Sequence, residues 1–226
     1  MLKYKKILYF NSSPITSGAT KSLFTSIKYL DKTKFHARVV HIHPNHDGIF
    51  KMYKSIGVNC DIVPTAQIWD GFWLTKDNLR SNIFRTFFPN NKIVSIINSF
   101  KPDLIHINDY NAFAVIASIN NNNIPLVWHC RYPIDISIYK TGYLLKKMYE
   151  RKSSHIITIS EPEYKLFKSN KNSMIYNAID LNYTELINPV LIRKKLKINS
   201  KCILITAPIS IGVEHKGAIT LIKSIK

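Results

Sequence analysis

Short runs of β-branched and aromatic residues alternate along the chain with segments whose apolar residues recur at helical spacing. The first run, residues 6–10, reads KILYF, and residues 20–30 after it place Leu23, Ile27 and Leu30 on one helical face. Strands that alternate with helices form parallel sheets covered on both faces. The pattern therefore predicts an α/β fold, a Rossmann-like doubly wound parallel sheet.

The same pattern extends over most of the chain. It predicts further strands at 37–43, 60–63, 104–107, 126–129, 156–159 and 174–176, and helices at 50–56, 92–100, 112–119 and 140–153. Residues 65–89 are less regular and carry six large aromatic side chains, among them Trp69 and Trp73. We interpret them as a helical or looped insertion that either shapes a ligand-binding groove or packs on the core.

The charge of the chain is strongly basic, with 32 Lys plus Arg against 14 Asp plus Glu and a formal net charge of +18. This excess favours phosphorylated ligands, anionic lipid or nucleic acid. Compositional drift explains it equally well, because Lys, Asn and Ile are abundant together. The basic residues are spread along the chain and no nucleic-acid-binding motif accompanies them, so we expect no specific nucleic-acid partner.

The cysteines and the apolar stretches indicate the compartment. Cys60, Cys130 and Cys202 lie far apart and are odd in number, which argues against a disulfide framework and favours a reducing environment. No apolar stretch approaches the ~18–20 residues of a membrane helix. We expect a cytoplasmic protein, or one in peripheral contact with an anionic membrane on its inner face.

Candidate chemistry follows the first strands, because doubly wound sheets bind ligands beyond the carboxyl ends of their strands. Gly18 precedes a helix, where a bare backbone and free N–H groups suit phosphate, although a simple turn is the alternative. Asn108 and Asp109 end the strand at 104–107 and are expected to face a cleft. His106, two residues before Asn108, is expected to be a core histidine with a satisfied hydrogen bond.

The next strand ends supply two further candidates. His129 suits a sugar hydroxyl and Arg131 suits a phosphate, the alternative being a structural histidine and a surface arginine. Ser160 enters a helix whose first turn is acidic, which is primarily a capping pattern. Eight histidines occur without metal-ligand spacing, so we expect no metal site.

Taken in order, these segments resemble the family 4 retaining glycosyltransferases of the GT-B fold. The resemblance rests on ILYFNSSPITSGATKSL, KPDLIHINDYNAF, IPLVWHCRYP, SHIITISEPEYKLF and MIYNAIDL, followed by LIRKKLKI and KCILITAPISIGVEHKG. The YNAID portion resembles the segment at which family members cross between their two domains. The LIRKKLKI portion resembles the family's linking helix, and residues 201–217 resemble the first strand and loop of the C-terminal domain. The resemblance therefore predicts a short βα stub of that second domain, with a strand just after Lys201. No G-x-G-x-x-G is present, which counts against a dehydrogenase.

The resemblance implies an activity and a domain arrangement. It implies transfer of a sugar from a nucleotide diphospho-sugar to a glycan or lipid-linked acceptor with retention, in the synthesis of surface polysaccharide. It also implies that no cofactor or metal is needed. Residues 1–185 would form the acceptor-side domain, and residues 186–226 would form a linker and the start of the nucleotide-sugar-binding domain.

The resemblance also assigns residues. Gly18 matches the glycine loop near the donor phosphate, His129 a histidine near the transferred sugar, and Lys216 a lysine that neutralises the diphosphate; Ser160 gains a binding role only in this way. The chain departs from the family where Ala207 and Pro208 replace Gly-Arg, and it ends before the family's acidic motif. We expect the chain alone to transfer sugar poorly, the alternative function being a non-catalytic or partner-dependent acceptor-binding module.

Overall fold

The computed structural model of the chain describes residues 4–65, 88–109, 112–119, 123–131, 140–167, 170–181, 188–199, 201–207 and 217–225. The chain divides into two compact units, Met1–Asp180 and Leu181–Lys226. The identity of residues 186–226 as the start of a nucleotide-sugar-binding domain stays a prediction. Most of the aromatic segment at 65–89 lies outside the described residues, so the predicted insertion there stays a prediction too.

The first unit is built on one parallel sheet. Its strands are β1 (Lys5–Asn11), β2 (Phe35–His41), β3 (Asn59–Ile62), β4 (Leu104–Asn108), β5 (Leu126–Cys130), β6 (His155–Thr158) and β7 (Asn172–Met174). The seven strands run in the order β3-β2-β1-β4-β5-β6-β7, and every neighbouring pair is parallel. The doubly wound α/β prediction is confirmed.

Helices connect the strands at the positions that the apolar periodicity predicted. They are α1 (Gly18–Lys28), α2 (Ile49–Lys54), α3 (Asn91–Phe100), α4 (Phe113–Ser118), α5 (Lys140–Lys152) and α6 (Glu161–Leu166). The last strand was predicted too late, at 174–176. Pairing with β6 ends where Ile175 donates its N–H to the carbonyl of Thr158 at 2.8 Å, and Tyr176 beyond it is exposed.

Alternate residues of the strands supply two cores, one on each face of the sheet. In β1, Leu8 and Phe10 join a cluster with Trp128 and the helices α3 and α4. Ile7 and Tyr9 point to the opposite face, where α1 and α2 cover them. Leu8 and Phe10 have no exposed surface, so the short KILYF run is buried on both sides as a central strand should be.

The second unit contains α7 (Pro189–Lys195) and α8 (Ala218–Ser224). The strand predicted just after Lys201 is wrong for the part described: residues 201–207 pair with no strand among the residues that the structure covers. The side chain of Ile203 is 90% exposed, because nothing described packs against it. Within the described segments, no helix has the length and apolar character needed to cross a membrane.

Candidate functional site

Polar side chains occupy the carboxyl ends of the central strands. Asn11 at the end of β1 is in register with Asn108 at the end of β4, and Asn108 is in register with His129 of β5. All three are buried. Since partners in register point to the same face, the three side chains lie in a row on the face that α1 covers.

Asn11 fixes the loop that leads from β1 into α1. Its Nδ2 lies 3.1 Å from the carbonyl oxygen of Ser13, 3.0 Å from Oγ1 of Thr20 and 3.1 Å from Nδ1 of His41. Thr20 Oγ1 also donates to the carbonyl of Ser13 at 2.8 Å. The loop is therefore held from inside the protein.

Gly18 is the first residue of α1, and Ser17 caps that helix by accepting the N–H of Thr20 at 3.1 Å. A Cβ added to Gly18 would meet no atom within 4 Å. Space beside this first turn is open. The predicted phosphate loop thus lies at a helix N-terminus with free access, and its ligand role stays a prediction.

The end of β4 is joined to the same loop. Ser12 Oγ donates to the carbonyl of Asn108 at 3.0 Å, and Ser13 Oγ donates to Oδ2 of Asp109 at 2.8 Å. Asn108 has no exposed surface, and its Nδ2 donates to the carbonyl of Ala19 at 3.2 Å. Asn108 therefore forms part of the wall beneath the strand ends, and Asp109, half-buried, lies at the rim.

Arg131 is buried, with 8% of its surface exposed, so the alternative of a surface arginine is wrong. Its Nε donates to Oδ1 of Asn108 at 2.9 Å, and its Nη1 donates to Oγ of Ser22 at 2.8 Å and to Oδ1 of Asn177. Burial lowers the pKa of Arg131 to about 10, a value at which the guanidinium is still charged at neutral pH. A positive charge therefore sits at the strand ends.

His129 is buried beside this cation, and its Nε2 has no hydrogen-bond partner among the described residues. Burial, then the charge of Arg131, then His106 lower the pKa of His129 to about 2. The imidazole is accordingly neutral at physiological pH. One enclosed ring nitrogen without a partner, next to a cation, is an arrangement that can take a hydrogen bond from or give one to a ligand hydroxyl.

His106 lies behind His129, with the two ring centres 5.4 Å apart, and it also contacts the ring of Tyr9 at 5.0 Å. Burial and Arg131 lower the pKa of His106 to about 3. The sequence predicted a core histidine with a satisfied hydrogen bond. Its Nε2 is enclosed and has no partner in the described part of the chain, so the predicted hydrogen bond is not made at that nitrogen.

Ser160 lies at the N-cap position of α6, as the capping pattern predicted. Its side chain accepts no backbone N–H, however, and its Oγ donates to the carboxylate of Glu163. Lys216 lies outside the described residues, and no group of His, Cys, Asp or Glu that could hold a metal occurs within them.

The structure brings Gly18, Asn108, Asp109, His129 and Arg131 to one edge of the sheet. Sequence reasoning missed several partners that hold them there. These are Asn11, Thr20, Ser22 and Asn177. A polar Asn directly after an apolar strand was a usable signal for Asn11, whereas Ser22 and Asn177 meet Arg131 only through the fold.

Three solved structures are similar to this chain in fold. They are Anabaena HepE in complex with UDP and glucose (TM-score 0.62, 18% identity, 85% of this chain and 50% of that one), a UDP-N-acetylglucosamine 2-epimerase (0.54, 12%, 84% and 55%) and Acinetobacter baumannii MurG (0.50, 12%, 74% and 44%). At these identities the likeness shows the fold alone. The chain spans about half the length of each of these proteins.

No curated protein matches the chain. The sequence profile of Glycosyltransferase Family 4 matches residues 16–183, which extend from the loop before α1 to just beyond the YNAID segment. That stretch contains six of the seven strands described above, β2 to β7, and covers most of the chain. The chain therefore belongs to Glycosyltransferase Family 4.

Proposed function

We propose that this chain is the acceptor-side part of a glycosyltransferase that moves a sugar from a nucleotide diphospho-sugar to a glycan or lipid-linked acceptor with retention. One observation carries the proposal: a neutral, buried His129, whose Nε2 has no partner among the described residues, lies at the carboxyl edge of a family 4 sheet, beside the row of buried amides. The edge of a doubly wound sheet at its strand ends is where such folds bind ligands.

The proposed roles follow from this geometry. His129, neutral at working pH, exchanges a hydrogen bond with a hydroxyl of the sugar or acceptor. Asp109 at the rim accepts hydrogen bonds from acceptor hydroxyls, and the first turn of α1 at Gly18 approaches the donor phosphate, where N–H groups and the helix dipole favour negative charge. Ser160 and Lys216 are proposed to contact the donor.

A uridine diphospho-sugar is the first donor to test. The HepE structure contains UDP and glucose, and the epimerase is named for UDP-N-acetylglucosamine. The basic excess of this chain, +18 overall, is consistent with a doubly charged diphosphate. Retention, the sugar and a surface polysaccharide as product belong to the same proposal.

The test is a titration of the isotope-labelled chain with UDP-sugars and with candidate acceptor glycans, followed by NMR. We expect the imidazole signals of His129 and the amide signals of Gly18 and Asp109 to shift. His129→Gln should weaken the binding about tenfold or more, because a hydrogen bond to a ligand is lost while the partner stays desolvated.

His155→Gln is the matched control. His155 lies at the opposite, amino end of β6, where its Nε2 contacts Oγ of Ser173 at 2.8 Å. This variant should bind as the parent chain does. The proposal fails if no sugar ligand shifts the strand-end signals, or if both histidine variants lose binding equally.

A further inference from the structure

Residues 175–180 follow β7 and lead out of the sheet, and we call them the connecting segment. Their large apolar side chains face outward: Ile175, Tyr176 and Ile179 are 53%, 68% and 75% exposed. Apolar packing therefore does not hold this segment in place. In the described residues, Asn177 and Asp180 make its side-chain hydrogen bonds to α1 and to the residue that ends that helix, Tyr29.

Asn177 makes the first of these contacts. Its Oδ1 accepts a hydrogen bond from Nη1 of Arg131 and another from Oγ of Ser22 at 3.0 Å. Ser22 Oγ also accepts from Arg131 at 2.8 Å, so the three side chains form a closed triangle. Ser22 lies on α1 and Arg131 follows β5, so a single amide oxygen connects the segment to both elements.

Asp180 makes the second contact, at the far end of the segment. Its carboxylate accepts from Nζ of Lys28 at 2.6 Å and from the hydroxyl of Tyr29 at 2.7 Å. The hydrogen bond to Asp180 is the largest of the influences that raise the pKa of Lys28. The side chain of Lys28 is 35% exposed and that of Asp180 is 10% exposed.

We infer that Arg131 is a positioning residue that holds the connecting segment against α1 through Asn177, in place of the direct phosphate contact predicted from the sequence. Three of its N–H groups are directed to protein acceptors, and these acceptors belong to β4, α1 and the connecting segment. One buried guanidinium thereby ties the candidate sugar site, through Asn108, to the residues from which the second unit continues.

The inference rests on the proposed function for the use that the protein makes of these contacts. The contacts themselves involve no sugar. In a transferase the connecting segment is the covalent path between the two units, and its position sets where residues 181–226 begin. Because the test uses no substrate, a failed sugar titration and a failed positioning test are separate outcomes.

The experiment measures the distance between two spin labels by pulsed EPR. The labels are attached to Ser95→Cys on α3 and Ile179→Cys in the connecting segment, both exposed in the parent chain. Cys202, which is exposed, is replaced by Ala, whereas Cys60 and Cys130 are buried and stay unlabelled. Residues of α3 pack in the core opposite α1, so the two labels report motion of the segment relative to the sheet.

We expect one narrow distance distribution in the parent background. Asn177→Leu removes the acceptor oxygen and should broaden the distribution about twofold, because a released segment samples many positions. Asn177→Asp keeps an acceptor and adds a charge opposite Arg131, so its distribution should stay narrow. Asn177 is exposed, and neither variant disturbs a buried core.

Arg131→Lys should broaden the distribution as Asn177→Leu does, since lysine cannot reach Asn108, Ser22 and Asn177 together. Arg38→Lys is the matched control, because Arg38 makes a similar two-pronged contact with Asp61 on β3, away from the segment. It should leave the distribution unchanged. The inference is overturned if Asn177→Asp broadens as much as Asn177→Leu, or if only Lys28→Met releases the segment.

Discussion

Two apolar runs of similar composition adopt different structures in the two units. KILYF at 6–10 becomes the central strand β1, with Leu8 and Phe10 fully buried. CILIT at 202–206 pairs with no described strand, and Ile203, Leu204 and Ile205 are 90%, 40% and 56% exposed. A strand is stabilised by its neighbours on both sides rather than by its own composition.

The helices of the two units differ in the same way. On α3, Ile93, Ile97 and Phe100 are buried in the core, whereas α7 has no buried residue. Ala218 alone is buried among the described residues after 181. Helical stability in proteins comes mostly from packing of an apolar face, so we expect the second unit to lose structure at lower denaturant concentration than the first.

The largest expected effect comes from truncating one buried and one exposed apolar side chain. Leu8→Ala should lower the free energy of unfolding of the first unit by about 3–5 kcal/mol, because a fully buried side chain leaves a cavity. Ile203→Ala should change it by less than about 0.5 kcal/mol, since the side chain is already in water. Urea unfolding followed by circular dichroism measures both, and equal losses would contradict the contrast between the units.

The pH dependence of stability offers a second, intermediate test. Burial lowers the pKa of His129 to about 2, so between pH 6 and pH 4 the unfolded chain binds a proton there that the folded chain does not. Stability therefore falls as the pH falls, by about 1.4 kcal/mol per pH unit for this one group.

His129→Gln provides the control for that slope. In urea titrations at successive pH values, the variant should lose the slope that one proton contributes, and the contributions of His106 and the carboxylates should remain. An unchanged slope in His129→Gln would mean that His129 titrates normally in the folded protein.

The smallest expected effect comes from removing two asparagine N-caps, one in each unit. Asn90 caps α3 and Asn188 caps α7, each through Oδ1 accepting first-turn N–H groups. Asn90→Ala should cost the first unit about 1 kcal/mol. Asn188→Ala should leave the midpoint of the main urea transition unchanged and reduce only the helical content. If both variants shift that midpoint, the two units unfold together.

The sequence was sufficient for the sheet because its signals are local. Residues 7–10 form a continuous apolar run, which can be recognised without knowledge of the rest of the chain. The strand-end positions of Asn108 and His129 followed from the same signals. The burial of Arg131 did not, because it depends on Ser22 and Asn177, which lie 109 and 46 residues away along the chain.

The strand predicted just after Lys201 shows the opposite limit. Residues 203–205 have the β-branched and apolar composition of a buried strand, and a local pattern alone favours that interpretation. Whether the pattern becomes a strand depends on partners, and the described residues supply none. Composition therefore predicted a strand correctly at residues 6–10, which have neighbouring strands, and incorrectly at residues 203–205, which have none among the described residues.

Asp109 imposes a double restriction on what can replace it. Its backbone is left-handed, with φ of 76°, a conformation that glycine, asparagine and aspartate adopt most readily. Its carboxylate accepts the hydroxyl of Ser13, which only an oxygen-bearing side chain of the same length can do. Glycine satisfies the first demand and glutamate the second in part, so asparagine is the one substitute that meets both. A library of variants at this position, selected for folding, should return aspartate and asparagine and little else.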